Sequence, residues 1–264
     1  MDDRTYETLL VERRDRTIQI ILNRPRVHNS FNARMIHELQ AAFGAAGTDP
    51  DARIVILTGA GESFCAGADL NWMREIIGYS FEQNLEESLA IADLLQAIYT
   101  LPKPTVARVN GTAIGGGNGL FSACDIAIAS DRARFGLSEV KIGLVPAAIS
   151  PYVIRRIGES RAREFFLTGE RFDARRALEI GLVNIVVPHA ELDAKTEGLL
   201  GLLLGSGPEA IAKSKELLQK VPGMGFADAR RYTAEMIARL RVSAEGQEGM
   251  AAFLEKRKPR WSKD

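Results

Sequence analysis

One local pattern occurs twice in this chain and limits its fold more than any other feature: a run of strand-type residues, a glycine turn, and the start of a helix made of small residues. The first copy is Ile54 to Leu70, IVILTGAGESFCAGADL. The second opens the stretch Val109 to Ser150, VNGTAIGGGNGLFSACDIAIASDRARFGLSEVKIGLVPAAIS. There, Val106, Arg108 and Val109 read as the end of a strand, and Gly115, Gly116 and Gly117 lead into a helix that runs to Cys124. A further strand follows from Ile126 to Ala129, and Phe135-Gly136-Leu137-Ser138-Glu139 then brings a carboxylate back to the neighbourhood. Repeated strand–turn–helix units of about fifty residues make this an α/β chain.

The glycine run suggests chemistry without charged side chains. Adjacent glycines let the main chain approach a ligand closely, and a helix start leaves unpaired N–H groups that can hold a negative oxygen. Glu139 is the candidate acid–base group. The glycines have a plainer reading of equal weight, tight packing of helix on strand, and a loop carboxylate is more often merely solvated. Two phosphate-binding motifs are excluded. Gly115, Gly117 and Gly119 do not give the spacing of a dinucleotide fingerprint, and no Gly-Lys-Ser/Thr follows them.

Beyond these two stretches the chain resembles the enoyl-CoA hydratase/isomerase (crotonase) superfamily. The resemblance is carried by Leu22-Asn23-Arg24-Pro25, by Phe64-Cys65-Ala66-Gly67-Ala68-Asp69-Leu70, by Asn110-Gly111, Gly115-Gly116-Gly117 and Cys124-Asp125-Ile126, and by Gly249 to Pro259 near the end. These segments span nearly the whole chain in family order. The resemblance implies a spiral of β-β-α units with two roughly perpendicular sheets, followed by a helical C-terminal segment that packs on neighbouring subunits. The expected division is a core over 1–200 and a C-terminal segment over 201–264, assembled as a homotrimer or homohexamer.

The same resemblance implies an acyl-CoA thioester as substrate, with no cofactor beyond the coenzyme A that the substrate carries. The backbone N–H groups of Ala68 and Gly116 match the family's oxyanion hole, and Glu139 matches its second glutamate. Arg24, Arg26, Ala66, Asp69, Lys258 and Trp261 are the candidates for contacting CoA. The chain departs from the family pattern in two places. Gly119 stands where hydratases commonly carry their first glutamate, and Val145-Pro146-Ala147-Ala148-Ile149-Ser150-Pro151 is bulkier than the usual Pro-Gly-rich turn. The segment around Glu139 looks like a bacterial subgroup of methylglutaconyl-CoA or carboxygeranoyl-CoA hydratases, in which glycine at the 119 position also occurs. A hydratase with one glutamate is therefore the first expectation, a double-bond isomerase the second, and an acyl-CoA-binding scaffold without turnover the third.

Composition narrows the alternatives. The 264 residues are 46% hydrophobic, enough for a large core, and 34 basic residues balance 34 acidic ones. That balance gives no field for nucleic acid or a membrane surface. Cys65 and Cys124 sit in apolar surroundings and read as packed thiols, and no His/Cys cluster has metal-ligand spacing. The first ten residues carry Asp2, Asp3 and Glu7 without an apolar run, so a cytoplasmic location is expected.

Leu9 to Leu22 reads as a β-hairpin, and Asn32 as the cap of a helix whose stripe is Met35, Ile36, Leu39 and Phe43. His28 reads as a structural turn residue and Asp125 as a structural hydrogen-bonding one. Asn71 to Thr100 reads as helical, and in relatives walls the acyl pocket; Arg74 is its candidate cation for a distal carboxylate. Helices are expected at Tyr152–Ile157, Arg161–Leu167 and Ala174–Glu179, before a strand at Leu182–Val187. Three amphipathic helices close the chain: Pro208–Lys220, Phe226–Arg241 and Glu245–Lys258. Lys256, Arg257 and Lys258 suit the dipole at the end of the last one.

Overall fold

The computed structural model describes residues 5–262, so Asp2 and Asp3 lie outside the described residues. The chain forms two compact units: one runs to Leu101 and from Thr105 to Thr196, the other combines Pro102–Pro104 with Glu197 onward. The division falls inside a single helix, Leu192–Leu204.

The first unit holds two sheets. The larger orders its strands β1 (Leu9–Arg14), β2 (Thr17–Leu22), β3 (Ile54–Gly59), β5 (Thr105–Val109), β7 (Ile126–Ser130) and β10 (Ile185–Val187). The smaller is β4 (Ser63–Cys65), β6 (Thr112–Ile114), β8 (Arg134–Gly136) and β9 (Arg171–Asp173). β1 and β2 form the expected hairpin, pairing Leu9 with Leu22 through Arg14 with Thr17, and Asp15 takes a positive φ of 50° in the turn. From β2 to β10 the larger sheet is parallel, and all six residues of β3 are buried, as a strand covered on both faces requires.

Each successive strand pair contributes one strand to each sheet, β3 with β4, β5 with β6, β7 with β8, and a helical segment follows each pair. These segments are α2 (Leu70–Ile76) with α3 (Phe81–Thr100), then α4 (Gly116–Ala123), then α5 (Ser150–Thr168). The region Asn71 to Thr100 is therefore two helices. Ser80 ends the break between them by capping α3, in a reciprocal box with Gln83. α1 (Ala33–Thr48) is capped by Asn32, and its stripe of Met35, Ile36, Leu39 and Phe43 is buried. α5 joins the two helices expected around Gly158, whose φ of 73° and ψ of 164° break the helix between them. α6 (Ala174–Glu179) has the expected bounds, whereas β10 is shorter than the Leu182–Val187 strand expected. Leu182 and Val183 instead donate their N–H groups to the Ala177 carbonyl, closing the end of α6.

An aromatic series binds the small sheet to its helices. Phe64 of β4 meets Phe121 of α4 at 6.0 Å, Phe121 meets Phe135 of β8 at 5.6 Å, Phe135 meets Phe172 of β9 at 5.8 Å, and Phe172 meets Phe165 of α5 at 4.3 Å. α4 is buried along nearly its whole length, which only small side chains around Leu120 and Phe121 permit. Arg156 of α5 closes its far end, donating to the carbonyls of Ser122, Phe121 and Cys124. Asp125 is structural, as expected: its Oδ2 accepts from the N–H and hydroxyl of Thr105.

The second unit contains α8 (Pro208–Lys220), α9 (Phe226–Val242) and α10 (Ala244–Leu254), after α7, the Leu192–Leu204 helix. Glu245 of α10 accepts from the N–H groups of Glu209 and Ala210, capping the start of α8. The last helix stops at Leu254 rather than reaching Lys258, because Lys256 adopts a left-handed φ of 54°. This also corrects the dipole reading of the basic cluster: Arg257 turns back to pair with Glu248 at 2.7 Å and Glu255 at 2.6 Å. Within this unit Leu218, Phe226, Val242, Phe253 and Leu254 remain exposed. Among the described residues no helix is long and apolar enough to cross a membrane.

Candidate active site

The site is built at one edge of the small sheet. β4, β6 and β8 are parallel neighbours, so their C-terminal ends emerge side by side. β4 delivers Ala66-Gly67-Ala68, β6 delivers Gly115 and Gly116, and β8 delivers Leu137-Ser138-Glu139. Residues separated by tens of positions in sequence thus meet within one loop cluster, the place where α/β sheets bind ligands.

Close backbone approach holds the loops together. Gly67, at φ 92°, would set a Cβ 3.0 Å from the Ile114 carbonyl oxygen, and a Cβ on Gly117 would overlap the Cys65 carbonyl oxygen. Asn118 locks the glycine turn from beneath. It is wholly buried, and its Nδ2 donates to the carbonyls of Ala113 at 3.2 Å, Gly115 at 3.2 Å and Gly136 at 2.9 Å. Asn118→Leu removes these three bonds, although the Gly136 and Gly115 carbonyls still accept from the N–H groups of Gly115 and Asn118; unfolding in urea is expected to show a loss of about 1–3 kcal/mol. Sequence reasoning passed over Asn118, although a lone amide inside Gly-Gly-Gly-Asn-Gly is a legible signal.

The two expected oxyanion donors are free to face a ligand. Phe31 pairs with the 67–69 segment by donating to the Gly67 carbonyl and accepting from the Asp69 N–H. In such a parallel bridge the main chain of the residue between, Ala68, points the other way. Gly116 is the first residue of α4, so its N–H has no acceptor within the helix. Ala66, Ala68 and Gly116 are partly exposed amid buried neighbours. A Cβ at Gly116 would overlap the Phe31 ring, so any larger residue there requires that ring to move.

Glu139 closes over the same turn. It begins a short 3-10 helix, Glu139–Ile142, and its Oε1 lies 3.1 Å from where a Cβ on Gly115 would stand. Oε2 is buried with no hydrogen-bond partner among the described residues. Burial pushes this carboxyl above its ordinary value of 4.5. A carboxyl that holds a proton more readily than usual, beside a helix start, is suited to take a proton from a neighbouring carbon or water and return it.

The candidates for CoA contact fall into two groups. Arg24 and Asp69 are joined to each other at 2.7 Å; Arg24 also donates to the Ser30 carbonyl, and Asp69 caps α2 by accepting from the Asn71 N–H. Burial pushes the Asp69 carboxyl up, but the bonds from Asn71 and Arg24 outweigh it and hold the group below its usual range. The pair therefore anchors the loop that carries Ala68. Arg26 lies exposed on the short Pro25–Val27 turn, where His28 meets the Ser63 hydroxyl at 3.0 Å. Lys258 and Trp261 belong to the second unit; Lys258 is exposed, and the Trp261 indole donates to the Gly205 carbonyl. Arg74 is exposed and bonded to Asn71. Burial pushes the Cys65 thiol up to about 12, which removes it as a nucleophile at neutral pH.

A cavity of about 280 Å³ lies beside α1, α2 and α3, walled by Ile36, Trp72, Tyr79 and Glu87 among others. Trp72 packs edge-on against Phe31 at 5.8 Å, so this cavity adjoins the ring that covers Gly116.

The surroundings of Gly119 bring together the two places where the chain departs from the family pattern. A Cβ on Gly119 would overlap Ile149 Cγ2 and stand 2.8 Å from Ile149 Cβ, with Leu95 Cδ1 at 3.5 Å. Ile149, in the turn after Glu139, occupies the space that a side chain at 119 would need. Sequence reading noted both changes and did not connect them, because nothing local links two positions thirty residues apart.

Loops that carry two candidate main-chain donors and one partly buried carboxyl thus come together at one end of the small sheet. The family model for enoyl-CoA hydratase/isomerase matches residues 12–264, and the chain belongs to that family. It is 42% identical to an enoyl-CoA hydratase from Shewanella pealeana, whose crystal structure covers 98% of this chain and 97% of its own at a TM-score of 0.95. An enoyl-CoA hydratase structure from Mycobacterium smegmatis is 33% identical, covers 97% and 99%, and has a TM-score of 0.92. A Thermus thermophilus relative is 39% identical over 242 residues, 92% of this chain and 96% of its own.

Proposed function

We propose that this chain is an enoyl-CoA hydratase that adds water across the 2,3 double bond of a 2-enoyl-CoA thioester. The observation that carries the reading is the Glu139 carboxyl lying over Gly115, one residue before the Gly116 N–H. Family membership and the hydratase names of the Shewanella and Mycobacterium relatives support it.

In this mechanism the thioester oxygen sits between the Ala68 and Gly116 N–H groups. Glu139 takes a proton from water as the water oxygen bonds to C3, and the C2–C3 π electrons move to form an enolate held at the two N–H groups. Glu139 then returns the proton to C2. One water is consumed and no electrons are gained or lost. Stabilising the enolate oxygen is the largest expected contribution, since losing one such donor typically costs about 2.7–4 kcal/mol.

The finer substrate proposal is a branched acyl group, with 3-methylglutaconyl-CoA as its example. Arg24, Arg26, Ala66, Asp69, Lys258 and Trp261 are the proposed CoA contacts, and the exposed apolar side chains of the second unit fit a homotrimer or homohexamer. The apolar Ile149 beside Gly119 favours a second reading, an isomerase in which Glu139 moves one proton between two carbons. The deciding assay supplies 2-enoyl-, 3-enoyl- and 3-methylglutaconyl-CoA to purified protein and identifies products by mass. A product heavier by one water is expected; an equal-mass product with a shifted double bond would establish the isomerase instead, and binding with neither product would leave a scaffold.

A further inference from the structure

We infer that Ile149 is the specificity-determining residue of this site: its side chain is the stop that limits how far an acyl group extends along α4 from the reacting carbons. The inference rests on the acyl-CoA reading above and deepens it. Gly115, against which Glu139 lies, and Gly119, against which Ile149 lies, are four residues apart, one helical turn or about 6 Å along the helix axis. A carbonyl held by the Gly116 N–H therefore has its proton-transfer group at one end of this turn and hydrocarbon at the other.

Three features make Ile149 a fixed wall. It is buried, and it fills the space beside Gly119 so closely that a Cβ there would overlap it. Its own carbonyl accepts from the N–H groups of Tyr152 and Val153 at the start of α5, which holds its backbone in place. Leu95 of α3, also buried, borders the same space, its Cδ1 3.5 Å from where a Cβ on Gly119 would stand. The wall also leaves no room for a water-holding side chain at 119, which makes Glu139 the single proton carrier on this face.

The test is the variant Ile149→Ala, assayed with crotonyl-CoA, with 3-methylglutaconyl-CoA and with longer straight-chain 2-enoyl-CoAs, alongside dissociation constants for the matching saturated acyl-CoAs. The expected result is a rise of about tenfold or more in kcat/KM for the longer straight-chain acyl groups relative to crotonyl-CoA and 3-methylglutaconyl-CoA, with the same order in the saturated ligands. An equal change on every acyl group would overturn the inference, because it would mean Ile149 only supports the fold. A shift in binding preference without a hydrated product would uphold the stop and overturn the hydratase reading. As a second arm, Gly119→Ala is expected to unfold at lower temperature than the parent, and to cost less when added to Ile149→Ala, where the overlap with Cγ2 is gone and only the 2.8 Å approach to Cβ remains. An equal cost in both backgrounds would show that the contact is not what limits this space.

Discussion

Glu139→Gln lowers turnover by about 10²–10⁴-fold on the best thioester substrate and, at neutral pH, makes the folded protein more stable. Both effects come from one physical cause. The carboxyl is partly buried, its Oε2 lacks a partner, and burial raises its proton affinity. A group whose pKa is raised on folding contributes stability that is full below its unfolded value of 4.5 and is lost as pH rises through the folded value. At neutral pH the parent therefore carries a desolvated charge that the amide lacks. The stability gain of the variant should shrink as pH falls toward 4.5 and vanish below it. Urea unfolding at several pH values measures this directly. The kcat/KM profile of the parent gives the companion result: its acidic limb should rise with an apparent pKa above 4.5, and that limb should be missing from the variant. A variant with parental turnover would end the assignment of Glu139.

The second large effect is expected at Gly117. A Cβ there would overlap the Cys65 carbonyl oxygen and lie 3.1 Å from Cys65 Cβ. Both partners are backbone-anchored, so relief requires α4 to move from the end of β4, the two segments that carry Gly116 and Ala68. Gly117→Ala should cost about 1–3 kcal/mol of stability or more, and about 10²-fold in kcat, as the two donors lose register. Binding of a saturated acyl-CoA should weaken less than turnover falls, because the donors act chiefly on the developing enolate. Gly44, in the interior of α1 with open space around it, is the matched control: Gly44→Ala should stabilise by about 0.5–1 kcal/mol and leave activity unchanged. If both alanine variants behaved alike, the close contact at 117 would have no functional weight.

Much of this was legible because it is local. The hairpin of β1 and β2, the stripe of α1 and the helix that follows the glycine run each follow from periodicity and from a cap or a glycine within a few residues. Family motifs pointed to Ala68, Gly116 and Glu139, and the fold gathers their loops. Less legible were features whose cause lies elsewhere in the chain. Lys256 looked like the end of a helix until Glu248 and Glu255 drew Arg257 back. Arg24 and Asp69, both candidates for ligand contact, are joined to each other across 45 positions of sequence, a pairing the chain order does not show.

The sequence by itself determined the α/β class, the family, the two backbone donors proposed for an oxyanion and the lone glutamate opposite them, since each is written in residues that are contiguous or nearly so. Only the tertiary structure decided what the site is made of besides. Asn118 reaching three carbonyls, Phe31 covering Gly116 and Ile149 filling the space beside Gly119 are contacts between segments that the chain order keeps apart. Short-range propensity sets which elements form, whereas close packing sets which side chain occupies a given volume, and volume is a property of the assembled unit.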